Sequence, residues 1–222
     1  MRLAVKAFMK FVLGLLGLGL MLFLPAGTFR YPNAWLLIAI LFIPMLLLGA
    51  VMLVKAPELL EKRLRTNEQN AEQKSVILFS SLLFSSVFVL SALDFRFGWS
   101  RLPRWLPYAA AVVFLVGYGL YAEVMRENAY LSRTVEVQAG QRVVDTGLYG
   151  LVRHPMYFST LLLFLSMPLV LGSLYAFLLI LAAYPPIIAK RILDEEKTLA
   201  AGLAGYQAYQ AKVKYNVIPY IW

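Results

Sequence analysis

Cysteine is absent from the 222 residues, and histidine occurs once, as His154. The first absence excludes disulfides, thiolate metal sites and cysteine nucleophiles within the chain. The second excludes a histidine-rich metal centre, so no metal is expected. Charge is scarce as well: 15% of residues are charged against 61% hydrophobic, and the mean hydropathy is +0.70. Such a chain falls outside the usual range for a soluble domain and inside that of polytopic membrane proteins. Acidic residues are the rarer sign, 12 against 21 basic ones, for a net charge of +9. The basic residues form no stripe with interleaved aromatics, so the excess reads as membrane topology and attraction to anionic headgroups, not as nucleic-acid binding.

Four uncharged runs reach spanning length, Phe11 to Phe29, Tyr31 to Val54, Ser75 to Leu93 and Trp105 to Ala122. A fifth, Met156 to Ala189, would be roughly 51 Å long as one straight helix, far beyond a hydrocarbon core of about 30 Å. It is expected to fold back at Leu171-Gly172-Ser173, with Pro168 weakening the helix just before. The fold class is therefore an all-α membrane protein of about six transmembrane helices, the last two a helical hairpin. Residues 1–122 form the N-terminal spans and 123–222 a pocket-bearing region with an amphipathic tail. Near 57–72, Pro57 and the apolar face of Leu59, Leu60 and Leu64 fit a short interfacial helix, with a solvated loop as the alternative.

Six crossings place both termini on one side. Of the 21 basic residues, all but Arg30, Arg96, Arg101 and Arg104 fall on that side. The positive-inside rule makes it the cytoplasmic one. Arg2, Lys6 and Lys10 before the first run also suit a signal peptide, but the run's length and the prompt second span favour a retained anchor. Gly17-Leu18-Gly19 and Gly117-Tyr118-Gly119 are small residues inside spans that permit close helix contact.

The hairpin would return two polar clusters to one face. The first is Arg153-His154-Pro155-Met156-Tyr157 and the second Lys190-Arg191-Ile192-Leu193-Asp194-Glu195-Glu196. Pro155 suits a first helical turn, where its missing N–H costs nothing. The helix start is then an anion site to which Arg153 and His154 add donors, with Tyr157 on the same face. Arg191 with Glu195 and Lys190 with Asp194 are spaced as ordinary helix-surface ion pairs, which is the plain reading of the second cluster. Against it, Glu195 and Glu196 lie within a turn of the membrane boundary, where three adjacent carboxylates suit hydroxyls or positive charge. The connection from Glu123 to Arg153 has strand-like alternation over Thr134-Val135-Glu136-Val137-Gln138 and a turn-rich approach at Gly147-Leu148-Tyr149-Gly150. It reads as a pocket wall.

Gly147-x-Tyr149, Arg153-His154-Pro155-x-Tyr157, the apolar hairpin, Arg191-x-x-x-Glu195-Glu196-x-x-Leu199, Tyr206-x-x-Tyr209 and Ile218-Pro219 occur in this order. This string resembles the isoprenylcysteine carboxyl methyltransferase and phospholipid methyltransferase superfamily. Leu148 and Ser159 depart from the family's frequent proline and glycine. The resemblance implies an integral membrane methyltransferase that uses S-adenosylmethionine at the cytoplasmic face, releases S-adenosylhomocysteine, and takes a lipid or prenylated substrate from the bilayer. It puts Gln138, Gly147, Tyr149, His154, Pro155, Tyr157, Glu195 and Glu196 at or near the cofactor. Arg191, Glu195 and Arg153 are the candidate catalytic residues. No nucleic acid and no obligate protein partner are expected.

The acceptor is either a carboxylate, which needs only a cation such as Arg191 to hold it, or an amine, which needs a base such as Glu195 or His154. A sterol-type NADPH-dependent reductase is a second enzyme reading and would call for more basic residues at the mouth. A small transporter or scaffold is a non-enzymatic one, and would call for ionisable residues deep inside spans, where the uncharged runs have none.

Overall fold

The computed structural model describes residues 2–64, 71–131 and 137–222. Among them every regular element is helical: α1 (Arg2–Ala26), α2 (Pro32–Lys55), α3 (Pro57–Leu64), α4 (Ala71–Phe97), α5 (Leu106–Glu127), a 3₁₀ turn at Gly147–Gly150, α6 (Pro155–Val170), α7 (Leu174–Gly202) and α8 (Tyr206–Lys212). Helix is the form that satisfies every backbone group within one apolar segment, as a hydrocarbon medium demands. Five of the helices are long and apolar enough to cross a membrane: Leu3–Ala26, Pro32–Lys55, Leu78–Phe97, Leu106–Glu127 and Leu174–Gly202.

The expected sixth crossing is the short one. α6 has 16 residues, about 24 Å of helix, below the roughly 30 Å of a hydrocarbon core. Pro155 starts it beside the polar cluster and the turn at Leu171–Ser173 ends it, so the two helices share the uncharged run about equally, and α7 owes its 29 residues to taking all of the second cluster as well. Of the interfacial helix expected near 57–72, the described part is α3. Residues 65–70 lie outside the described residues, and Ala71 already belongs to α4. Of the stretch with strand-like alternation, Thr134, Val135 and Glu136 lie outside the described residues, and Val137 and Gln138 are irregular.

Two compact units divide the chain. One comprises Met1–Phe114 with Phe164–Leu181, the other Leu115–Leu163 with Ala182–Trp222. In the first, α1 packs on α4 and α2, burying Leu18, Leu22 and Phe23 with Leu37, Phe42 and Val87. The outward faces stay apolar: Leu13, Leu20 and Leu24 are 64–74% exposed, a surface suited to lipid and not to water. The turns between helices meet at one end of this unit. Tyr31 donates its hydroxyl to the Leu171 carbonyl at 2.7 Å while its ring stacks on Phe95. Asp94, 2% exposed, accepts from the Ser100 amide and hydroxyl, each at 2.6 Å, and from the Ser173 hydroxyl. The two serines then cap α7, since Ser173 Oγ accepts from the Ala176 amide at 3.1 Å and Ser100 Oγ from the Leu174 amide at 2.9 Å. A buried carboxylate is tolerable only with such a set of donors.

Gly172 sits in that turn at φ +83°, and a Cβ there would meet Asn33 Nδ2 at 2.8 Å. Within the second unit, a Cβ on Gly117 would meet Leu162 Cβ at 3.0 Å and the Ser159 carbonyl at 3.1 Å, so this small residue lets α5 and α6 approach. The other glycines of the two expected pairs, Gly17, Gly19 and Gly119, have nothing within 4 Å of a would-be Cβ.

Gly172→Ala should destabilise the protein by about 1–3 kcal/mol, the cost of a left-handed alanine plus a displaced neighbour. Gly49→Ala, in the open middle of α2 with nothing within 4 Å, should be neutral or stabilising by up to about 1 kcal/mol. Thermal unfolding in detergent micelles distinguishes the two, and equal melting temperatures would contradict the tight turn.

Candidate active site

The approach to α6 is paired with the tail that follows α8. Arg153 and His154 donate their amides to the Tyr215 and Asn216 carbonyls at 2.9 and 2.8 Å. Pro155, without an amide hydrogen, then opens the helix. The Arg153 guanidinium completes the join: Nη1 donates to the Val213 and Lys214 carbonyls at 2.7 and 3.0 Å, Nη2 to Asn216 Oδ1, and Nε to Glu196 Oε1 at 2.9 Å. A planar fork with five hydrogens suits this simultaneous grip, which an ammonium lacks the geometry to reproduce.

Glu196, on α7, is the other half of the join. Besides Arg153, its Oε1 accepts from His154 Nε2 at 2.7 Å and from the Tyr206 hydroxyl at 2.9 Å, and Oε2 accepts from Gln210 Nε2. Its side chain is 12% exposed. An ionised carboxylate only accepts, so Nε2 is the ring nitrogen that carries a proton. Nδ1 then faces Glu195 Oε1, 4.0 Å away. Burial, and after it the Glu196 charge, pushes the Tyr206 phenol well above its ordinary range and keeps it a donor.

Tyr157, one turn into α6, links the two remaining charged residues. Its hydroxyl donates to Glu195 Oε2 at 2.7 Å and accepts from Arg191 Nε at 2.9 Å. Glu195, with 27% of its side chain exposed, is the more open of the two glutamates. Tyr149 is set from both sides: its hydroxyl accepts from Asn128 Nδ2 at 2.9 Å and its carbonyl from the Tyr209 hydroxyl at 2.8 Å. Behind these groups Leu203, Tyr206, Tyr209 and Val213 form a small apolar core with Val137, Val143 and Leu199 against it.

These residues surround one cavity. Its enclosed volume is about 90 Å³, below the roughly 300–1,000 Å³ of small-molecule sites, so a ligand of that size would extend into the open mouth. Six of the residues singled out from sequence line it: Tyr149, Arg153, His154, Tyr157, Arg191 and Glu195. Four do not. Glu196 stands behind His154 and Arg153, and Pro155 is the helix start. Gln138 folds the connection, donating Nε2 to the Tyr130 carbonyl at 2.6 Å. Gly147, at φ +51°, leaves room for the Glu127 carboxylate, which accepts from the Thr146 hydroxyl at 2.8 Å.

Sequence reasoning read the connection as a pocket wall without singling out Asn128, Tyr130 or the lining stretch Gln141–Val144, and it gave Tyr206 and Tyr209, which also line the cavity, no role at the site. The i, i+4 spacing of Leu199 and Leu203, continued by the two tyrosines, was the available sign that the apolar face of α7 runs on past the membrane.

Glu196→Ala strands both Arg153 and His154 and should cost about 3–5 kcal/mol, whereas Glu195→Ala, losing one tyrosine donor at a half-open position, should cost about 1 kcal/mol. Denaturation in mild detergent measures both; a Glu195 variant as unstable as the Glu196 variant would reverse their roles.

Comparison with known proteins bears on the same region. Over 91 residues, 40% of this chain, it is 29% identical to the Delta(14)-sterol reductase TM7SF2 of Mus musculus, and the match covers 22% of that longer protein. The family model described as phospholipid methyltransferase matches residues 105–203, from the start of α5 to the end of α7. That match covers just under half of the chain, which over this stretch is similar to the phospholipid methyltransferase family.

Proposed function

We propose that this protein is an S-adenosylmethionine-dependent membrane methyltransferase acting on a lipid-like acceptor, foremost the carboxylate of a prenylated cysteine or a similar amphiphile. The observation that carries the reading is the Arg191–Tyr157–Glu195 chain of hydrogen bonds at the wall of the cavity, next to the single histidine. Residues of the right kind for the cofactor are present. Glu195, half open, suits an ammonium or ribose hydroxyls, and the faces of Tyr149 and Tyr157 suit a sulfonium, an attraction worth about 0.5–2 kcal/mol. When bound, S-adenosylmethionine supplies an electrophilic methyl group.

The chain's own work is alignment and exclusion of water. Arg191, held by Tyr157, offers its guanidinium to an acceptor carboxylate, which is already ionised at neutral pH and needs no base. Arg153 is occupied with the tail and acts by keeping His154 in place. A phospholipid amine is the alternative acceptor, and would need Glu195 or His154 Nδ1 to take its proton. The distribution of basic residues supports a cavity that opens to the cytoplasm, with both termini on that side.

The partial likeness to a sterol reductase supports a second reading, in which the cavity takes NADPH and Arg142 and Arg191 meet its phosphates. Thermal protection of the detergent-solubilised protein separates the two. S-adenosylhomocysteine should raise the melting temperature and NADPH should not. The opposite pattern installs the reductase, and no shift from either removes both. His154→Ala and Glu196→Gln should each weaken S-adenosylhomocysteine binding about tenfold or more, the loss of one charge-assisted hydrogen bond or of the group that orients it. Arg191→Ala should lower turnover more than affinity, as judged by titration beside a methyl-transfer assay.

A further inference from the structure

Beyond α8 the chain turns a compact corner and leaves apolar side chains without cover. Tyr220 and Ile221 are 88% and 77% exposed, and Trp222 is 39% exposed. The corner is well tied. The Val217 and Ile218 amides donate to the Trp222 carbonyl oxygen at 2.9 and 3.0 Å, the Trp222 amide returns to the Ile218 carbonyl at 3.1 Å, and the Tyr215 and Tyr220 rings lie 5.2 Å apart. Its level relative to a bilayer follows from its attachment. Residues 213–216 are joined to Arg153 and His154 by backbone pairing and by the Arg153 guanidinium. Two residues later α6 becomes an uncharged apolar helix. The corner is thus fastened where the chain passes from polar to apolar surroundings.

Two further features agree. Leu151, two residues before Arg153, is 63% exposed, and Lys214 projects from the joined segment as an exposed cation. Tyrosine and tryptophan with an adjacent lysine are the side chains that settle at headgroup depth, the rings in the interface and the ammonium among anionic lipids. We propose that Pro219–Trp222, together with Leu151, seats in the headgroup layer of the bilayer and fixes the Arg153 join, and with it the cavity mouth, at the membrane surface. The occupant of this apolar patch is lipid. The proposal is independent of the methyltransferase reading, and a failure of ligand binding would leave its test intact.

The absence of native cysteine makes that test direct. Tyr220→Cys and Ile221→Cys, each at an exposed position that should not disturb folding, are labelled with a nitroxide in the full chain. The chain is reconstituted in vesicles of phosphatidylcholine and phosphatidylglycerol. Power-saturation spectroscopy then compares access by oxygen, which concentrates in the bilayer, with access by a polar nickel chelate. The oxygen-to-chelate accessibility ratio at both positions should lie severalfold above that of a nitroxide in water and below that of one among the acyl chains. A ratio equal to the aqueous one at both would put the corner in water and overturn the proposal. Exclusion of both reagents would mean a protein cover, a second copy included, and would overturn it equally.

Discussion

Everything at the cavity depends on a charge that does not face it. The Glu196 carboxylate lies almost out of solvent and gathers a guanidinium, an imidazole, a phenol and an amide from the approach to α6 and from α8. Removing such a carboxylate from water costs several kcal/mol, and only a dense set of donors offsets it. That requirement runs in both directions. The donors hold the charge, and the charge dictates where each donor sits, including which nitrogen of the single histidine is protonated. The groups that do line the cavity, His154 and Arg153, owe their orientation to a partner one layer deeper.

A parallel arrangement organises the other unit. Asp94, at the end of α4, is almost completely buried and is satisfied by two serines that in turn cap the first turn of α7. Tyr31 adds a bond to the carbonyl of Leu171 in the same turn. In both units the apolar helices provide bulk, while a single acidic side chain settles how the connections between them are placed. Among long helices that offer similar greasy faces, many relative positions have similar packing energy. Polar groups with strict partner requirements select one.

Much of this was legible in the chain because length and charge are strong signals in a membrane protein. Four long helices lie where the uncharged runs are, the fifth run breaks at Leu171–Ser173 as its glycine and serine indicate, and the two polar clusters around Arg153 and Glu195 come within hydrogen-bonding distance. The span count was harder to read, since an uncharged run has no internal mark for the depth at which each arm leaves the apolar layer, and α6 is shorter than a crossing needs. Asp94 was overlooked because it stands just past the end of an uncharged run, where an acidic residue looks like a solvated cap. At the site, residue type was readable and layer was not. Glu195 and Glu196 are adjacent and chemically identical, but a helix turns about 100° between neighbours, so one reaches the cavity and the other its foundation. Gln138 and Gly147 have roles in folding the connection that only its three-dimensional path discloses.

The join between Arg153 and residues 213–216 also sets an order of events during biosynthesis. Arg153 and His154 both precede residues 213–216 in the chain, so each is synthesised before its tail partners. Until those partners arrive, the guanidinium of Arg153 lacks its carbonyl acceptors and the start of α6 its backbone pairing. The cavity wall is therefore completed last, when the segment past α8 closes against the start of α6.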